Sequence, residues 1–491
     1  MDFLDPKKQR RHAVLLYLGY LLIGIAIVIS TVVLVYQANG YGVNSKGQVT
    51  QNGLLFFSSQ PNPATIYLNG KKSEFQTNTR LSLAAGQYSV ELRREGYRTW
   101  QRPISVQGGD VQNFDYPFLF PSKLTTKTQA TYANGAGVAS QSRDKRWLLV
   151  QQTSTASSFD LYDLENPTVP AVALTLPAAL LHSNGTQTWE AIAWAGDNQH
   201  ALFKHTYNGG TEFILIDKDD PAKSLNLNNT FGTNPTALTF IDGKYDRYHL
   251  FNKEGAVLST ATLGEPQPVK LLEGVLEYKS YGSKLVVYAT PNGAKEPGKV
   301  AVSLFDGEKS EVIREVSANT TYLLDMASYD GKPYVVLSAA SENIAYVYRD
   351  PQAQFKDESI KMPNAIRALK ITSPSYVAFS PTAQYISVQS GNQLGMYDIY
   401  LKRAYIYTVP HVFDAPQVHG SWMDGNRFSF VSQGTLLVFD YDRRNQQKLM
   451  PASSSYTPFF SPDYRAAFTL APGEAGAMLL TQTNLVTNAD L

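Results

Sequence analysis

No cysteine occurs among the 491 residues. Disulfides, thiol nucleophiles, iron–sulfur clusters and cysteine-based zinc sites are therefore excluded, and a chain of this length must be held by its core alone. An excess of either charge is missing too: 43 Lys and Arg stand against 42 Asp and Glu, for a net charge of +1. Beyond the first dozen residues no basic cluster stands out, so the sequence carries no nucleic-acid footprint. Histidine is sparse, with His12, His182, His200, His205, His249, His411 and His419 scattered along the chain. His200 and His205 straddle one strand, and its period of two places them on opposite faces, which is poor ligand geometry. The nucleophile elbow Gly-x-Ser-x-Gly, the metal motif His-Glu-x-x-His and the phosphate loop Gly-x-x-x-x-Gly-Lys-Ser/Thr are all lacking.

Long apolar runs are absent with one exception. Residues 13–36 read AVLLYLGYLLIGIAIVISTVVLVY, with no charge and no polar face at helical spacing. As a helix this run spans roughly 36 Å, enough to cross a bilayer core of about 30 Å. Lys7, Lys8, Arg10 and Arg11 precede it, and the next charge is Lys46. The positive flank stays inside, so the sequence predicts a cytoplasmic tail over 1–12, a transmembrane helix over 13–36 and an extracytoplasmic remainder. A cleaved signal would have a shorter apolar core and a small residue where Tyr36 precedes Gln37-Ala38. The expected location is the cell membrane, single-pass, with the membrane itself as one partner. Residues 37–53, polar and with Gly40, Gly42 and Gly47, read as a linker.

From 54 to 121 the apolar period is two. Ile66 and Leu68 alternate with Thr65 and Tyr67 before the hairpin pair Asn69-Gly70, and Tyr88, Val90 and Leu92 give a second strand one apolar face. Ile104 and Val106 begin a further strand that Gly108-Gly109 closes. The stretches Ser58-Ser59-Gln60-Pro61-Asn62-Pro63-Ala64, Leu83-Ala84-Ala85-Gly86-Gln87-Tyr88-Ser89-Val90 and Gly96-Tyr97-Arg98-Thr99-Trp100 resemble the PEGA domain, a bacterial surface-associated β-module. The family's Glu and Gly are Asn62 and Pro63 here, and its Gly-x-Thr-Pro stretch is replaced around Gln76-Thr77-Asn78-Thr79. The resemblance implies a small β-sandwich without catalytic residues. Tyr97 and Trp100 are expected to pack on the sheet, with a binding platform as the alternative.

Residues 122–491 repeat themselves. Apolar runs end at or next to Asp163, Asp217, Asp306, Asp350, Asp398 and Asp440, mostly 42–48 residues apart, which is a propeller-blade period. Weaker strands at 256–263 and 477–483 fill the remaining phases, giving about eight units, with seven as the alternative count. An aromatic followed by a tight turn runs in phase ahead of most of these strands: Trp194 with Asp197, Phe240 with Asp242-Gly243, Phe379 with Ser380-Pro381, Trp422 with Asp424-Gly425, and Phe460 with Ser461-Pro462-Asp463. Hairpins at this spacing are what four-stranded blades require, with Trp194, Phe379, Trp422 and Phe460 expected between blades. The turn phrases resemble those of TolB-type and WD40-like propellers. An array of β-sandwiches is the competing fold, and the unbroken period favours a closed ring. The repeat runs through Leu491, so no appended hydrolase domain is expected.

The fold class is thus all-β behind one N-terminal helix. No catalytic, cofactor or metal residues are assigned, no cofactor is expected, and the binding residues stay unknown. Asp217, Asp219 and Asp220 lack the glycine and closing Glu of a calcium loop and read as a turn, as does Gly420-Ser421 beside Asp424. The expected function is binding or scaffolding of a protein or envelope glycan. The alternative is a propeller enzyme, a lyase or hydrolase acting on such a glycan, whose carboxylates, His or Tyr would gather at the channel mouth.

Overall fold

The computed structural model describes residues 6–38, 40–43, 49–182, 185–356, 359–360, 362–415 and 419–490. They form two compact units: residues up to Lys123 together with those from Val486 on, and Leu124–Leu485. The sequence reading ran the propeller to 491; the last residues instead cluster with the first unit.

The first unit opens with a helix over Pro6–Ala38, longer at both ends than the apolar run. The stretch Arg10–Ala38 is long and apolar enough to cross a membrane and has no buried face. Thr31, one of its few polar residues, donates its hydroxyl to the Ile27 carbonyl at 2.8 Å, which satisfies it without a partner chain.

Two four-stranded sheets follow in this unit. One orders Lys71–Gln76, Thr65–Leu68, Gly86–Arg93 and Trp100–Val106. The other joins Tyr41–Val43, Val49–Phe57 and Thr79–Ala84, with Val111–Phe114 parallel to Val49–Phe57. The stretch read as a linker over 37–53 therefore holds the strand Tyr41–Val43 and the start of Val49–Phe57. Its alternation is interrupted by Gly53, where a Cβ would run into Val106 and the Gln107 carbonyl. Leu55, Phe57, Ile66, Val90, Leu92 and Trp100 are sealed in the core, and Phe57 stacks on Phe114 at 5.0 Å. Asn69 and Gly70 both take positive φ, 51° and 77°, as a type I′ hairpin turn demands.

The second unit is a run of four-stranded antiparallel sheets, eight among the described residues: 139–175, 188–226, 237–273, 277–317, 322–370, 376–408, 421–451, and 459–484 completed by Thr126–Tyr132. We number these sheets one to eight. Each apolar run with its terminal acid is a third strand: Ser158–Asp163, Gly210–Asp217, Gln393–Asp398 and Thr435–Asp440 end on the acid, and Lys299–Phe305 and Ile344–Arg349 stop one residue short of it. Apolar clusters lie between neighbouring sheets rather than within them. Leu149, Phe159, Trp194 and Phe203 join sheets one and two, and Val287, Val302, Val335 and Leu337 join four and five. Sheet eight packs on sheet one through Phe468, Leu480, Leu148 and Val150.

The ring is shut by a strand from its beginning. Thr126–Tyr132 pairs antiparallel with Met478–Asn484, Tyr132 opposite Met478 and Thr126 opposite Thr483. First and last segments thus share one sheet, the closure that radial folds use to leave no open edge between their ends.

Candidate functional site

A four-stranded blade has two ends. The turns after the first and third strands lie at one, which we call the turn end. The turn after the second strand and the connection to the next sheet lie at the other, the loop end.

The turn end is committed to the fold. Asp197 accepts the amides of Gln199 and His200 at 2.9 and 3.1 Å, and Asp424 those of Asn426 and Arg427 at 2.7 and 2.8 Å. After the third strands, Asp163 accepts Glu165 and Asn166, Asp217 accepts Asp219 and Asp220, and Asp306 accepts Glu308 and Lys309. Aspartate is selected there because its short carboxylate reaches back-to-back amides of its own turn. The Asp217, Asp219, Asp220 group is one such turn. Lys145 of sheet one donates to the Met423 carbonyl of sheet seven at 3.2 Å and lies 5.4 Å from the Tyr464 ring of sheet eight. Burial pulls its ammonium below the usual lysine range, with Asp424 opposing. These contacts draw the turns of three sheets together.

First strands tie to one another around the axis. Trp194 donates to Ser140 at 3.0 Å, and the Tyr278 and Thr239 hydroxyls meet at 2.9 Å. Lys279 pairs with Asp325 at 3.1 Å, and Asp325 also accepts the Phe379 amide at 3.0 Å. The channel carboxylate Asp325 therefore has its charge answered from both neighbouring sheets.

The loop end is where the chemistry gathers. Glu212, 1% exposed on its strand, accepts four donors: Nδ1 of His205 at 2.8 Å, Nδ1 and the backbone amide of His182 at 2.7 and 3.0 Å, and the Asn226 amide at 2.7 Å. Burial alone would raise this carboxyl, but those donors outweigh it and hold it at about 2. His205 is fully buried and stacks on Trp189 at 4.5 Å, whereas the His182 side chain is 51% exposed and stacks on Tyr207 at 4.8 Å. Because a carboxylate only accepts, His182 carries its proton on Nδ1, and Nε2 of the neutral ring keeps a lone pair. A second stack lies on sheets six and seven: Tyr376 and His419 are parallel at 3.7 Å, with His419 Nδ1 bonded to the Gly420 carbonyl at 3.0 Å. Gln389, fully buried, takes the Gly420 amide at 3.0 Å and fixes that loop.

The sequence reading placed His200 and His205 on opposite faces, and they do reach different acids: His200 bonds Asp197 at 2.7 Å at the turn end, and His205 bonds Glu212. It missed Glu212. The signal was present, since Tyr207-Asn208-Gly209-Gly210 is a two-residue hairpin turn that sets His205 opposite Glu212. His182 and His419 sit in connections, where no periodicity predicts a neighbour. Among the described residues no group of three or more His, Asp or Glu is arranged to hold a metal ion.

Residues 52–119 match the PEGA domain. No curated protein matches the chain. Among solved structures it is similar to the Dos1 propeller, with 12% identity, 74% of this chain and 95% of that one covered, and a TM-score of 0.45. It is similar to an oligogalacturonate lyase in complex with manganese, with 11% identity, 75% and 100% covered, and a TM-score of 0.40. Hsv2 of Kluyveromyces lactis matches with 13% identity, 72% and 98% covered, and a TM-score of 0.36. The chain carries a PEGA domain behind an apolar helix, and its own closed run of four-stranded sheets is a β-propeller.

Proposed function

We propose that the chain is a single-pass membrane protein of the bacterial envelope, N-terminus inside, that displays its PEGA domain and propeller outside and acts by binding a protein or envelope glycan. The observation that carries this reading is the loop end. There His182 on Tyr207 and His419 on Tyr376 offer partly exposed, stacked rings with fixed polar edges, while the turn-end aspartates are spent on their own turns. Flat rings with hydrogen-bonding edges fit the apolar face of a sugar or an interfacial side chain. The positive flank of the helix supports the orientation.

The test is capture of purified envelope polysaccharides and envelope proteins, presented separately, by the parent and by Tyr207→Ala and Tyr376→Ala. Binding at least tenfold weaker at unchanged melting temperature is expected. Parental binding by both variants would remove the loop end from consideration.

One observation favours the enzyme reading: Glu212 orients His182 as it would a general base, with Nε2 left for a substrate proton. Turnover of an envelope glycan that His182→Ala abolishes and Tyr376→Ala spares would decide for it.

A further inference from the structure

Arg94-Glu95-Gly96-Tyr97 follows the central strand Gly86–Arg93 of the PEGA unit, and the motif's tyrosine is 7% exposed. Packing alone does not account for it. Its hydroxyl donates to Oδ2 of Asp490 at 2.5 Å and accepts the Thr487 amide at 2.8 Å. Arg94 grips the other oxygen of Asp490 with one amino group, and its second amino group is anchored on the Pro63 carbonyl at 2.8 Å. The segment is folded to present that carboxylate: the Asp490 amide bonds the Thr487 carbonyl at 2.9 Å, and the Thr487 hydroxyl donates to Oδ2 at 2.9 Å. Gly96 completes the fit. It takes φ +79°, and a Cβ there would stand 3.3 Å from the Thr487 methyl.

One Arg94 amino group and the Tyr97 hydroxyl are therefore aimed at one chemistry, a carboxylate three residues after a threonine. Arg94 supplies charge, the Tyr97 hydroxyl reads carboxylate and amide together, and the glycine makes room. We propose that this face of the PEGA unit is a recognition site for a Thr-x-x-Asp segment, and that Thr487–Asp490 of the same chain is its built-in occupant. The site lies within one compact unit and owes nothing to the propeller's loop end, so it stands or falls apart from the function proposed above.

The probe is a peptide of residues 486–490, VTNAD, acetylated and amidated so that its one carboxylate is the aspartate's. A chain shortened after Leu485 should bind it saturably. Binding should weaken at least tenfold with Asn in place of the peptide's aspartate, and likewise with Arg94→Ala in the chain. The unshortened chain should not bind it, because its site is filled. Hydrogen exchange provides the second measurement, on full chains that keep their fold. Asp490→Asn and Tyr97→Phe should each speed exchange at the Thr487 amide at least tenfold, with the propeller strands unchanged. No binding to the shortened chain, equal binding of the Asn peptide, or parental protection of Thr487 in both variants would each overturn the proposal.

Discussion

His249 shows what the ring does to an ionisable side chain that it closes over. It is 4% exposed, stands opposite Thr239 in register, and meets the edge of the Tyr278 ring at 5.9 Å. Its Nδ1 has no hydrogen-bond partner. Burial pushes its pKa down from the usual 6.5 to about 4, so the native ring holds it neutral. Between those two values the unfolded chain binds a proton that the native chain refuses, and stability falls as pH drops through that window, by up to about 3 kcal/mol. Melting at pH 7 and pH 4.5 tests this: His249→Leu should lose less on acidification than the parent, and equal losses would count against it. Glu212 works in the same sense but lower down. Its carboxyl is depressed from 4.5 to about 2, so its contribution is complete above about pH 4.5 and disappears as pH falls toward 2. Asp163, Asp197, Asp217 and Asp306 are also held below the usual range and share that lower window. Acid unfolding should accordingly show two phases of sensitivity, the upper one carried by His249. Removing the Glu212 carboxylate by Glu212→Ala takes the acceptor from four hydrogen bonds, two of them from the buried His205 and Asn226, and should cost about 3 kcal/mol at pH 7, read as a lower unfolding midpoint in urea.

At the scale of the strand, the aromatic that ends a first strand has two fates. Trp194 and Phe460 are buried, 4% and 2% exposed, whereas Phe379 and Trp422 remain partly exposed, so the expectation that all four are sealed between blades needs correction for the latter pair. Trp422 leans on Tyr385 and Phe428 but leaves its indole nitrogen unbonded, while Trp194 is locked by Ser140 across the sheet boundary. Trp194→Ala should therefore cost roughly 3–5 kcal/mol and lower the melting temperature by several degrees, with Phe379→Ala costing less than half as much. Equal losses would show that exposure at the axis does not discount these rings. The same strands show what a sequence can reveal. Hairpins were readable because turn chemistry and period two act over a few residues, as in Trp194 to Asp197 followed by His200–Tyr207. The strand Thr126–Tyr132 was not, because TKTQATY is polar along most of its length and its partner lies some 350 residues away. Tyr41–Val43 was hidden in a glycine-rich spacer for a similar reason. The Glu212 and His205 pair was legible through hairpin register, while His182 and His419 came from loops, whose neighbours only the folded ring defines.

For the molecule as a whole, the proposed topology and the ring closure make separate demands. With the positive flank inside, protease added to wall-stripped cells should digest everything beyond about residue 36, and protection of the propeller would reverse the orientation. Closure is a matter of cooperativity. Each sheet buries its two faces only against its neighbours, so the ring behaves as a chain of interfaces joined end to end. The last joint is unlike the others, since sheet eight takes its outer strand from residues that precede sheet one. Deleting Thr126–Tyr132 strips Met478–Asn484 of its outer partner, leaving Ala466–Pro472 on its other side, and removes Tyr132 from the cluster that holds Leu148 and Phe468 together. A closed ring should then lose protection from hydrogen exchange in sheets one and eight first, and melt as a whole several degrees lower, because opening one joint exposes two faces at once. An open array would instead lose protection in sheet eight alone and keep the parental melting of sheets two to six. Exchange mapped sheet by sheet on the deleted and parental chains distinguishes the two, and a loss confined to Phe459–Phe460, Ala466–Pro472 and Met478–Asn484 would mean that the paired ends decorate the ring without holding it shut.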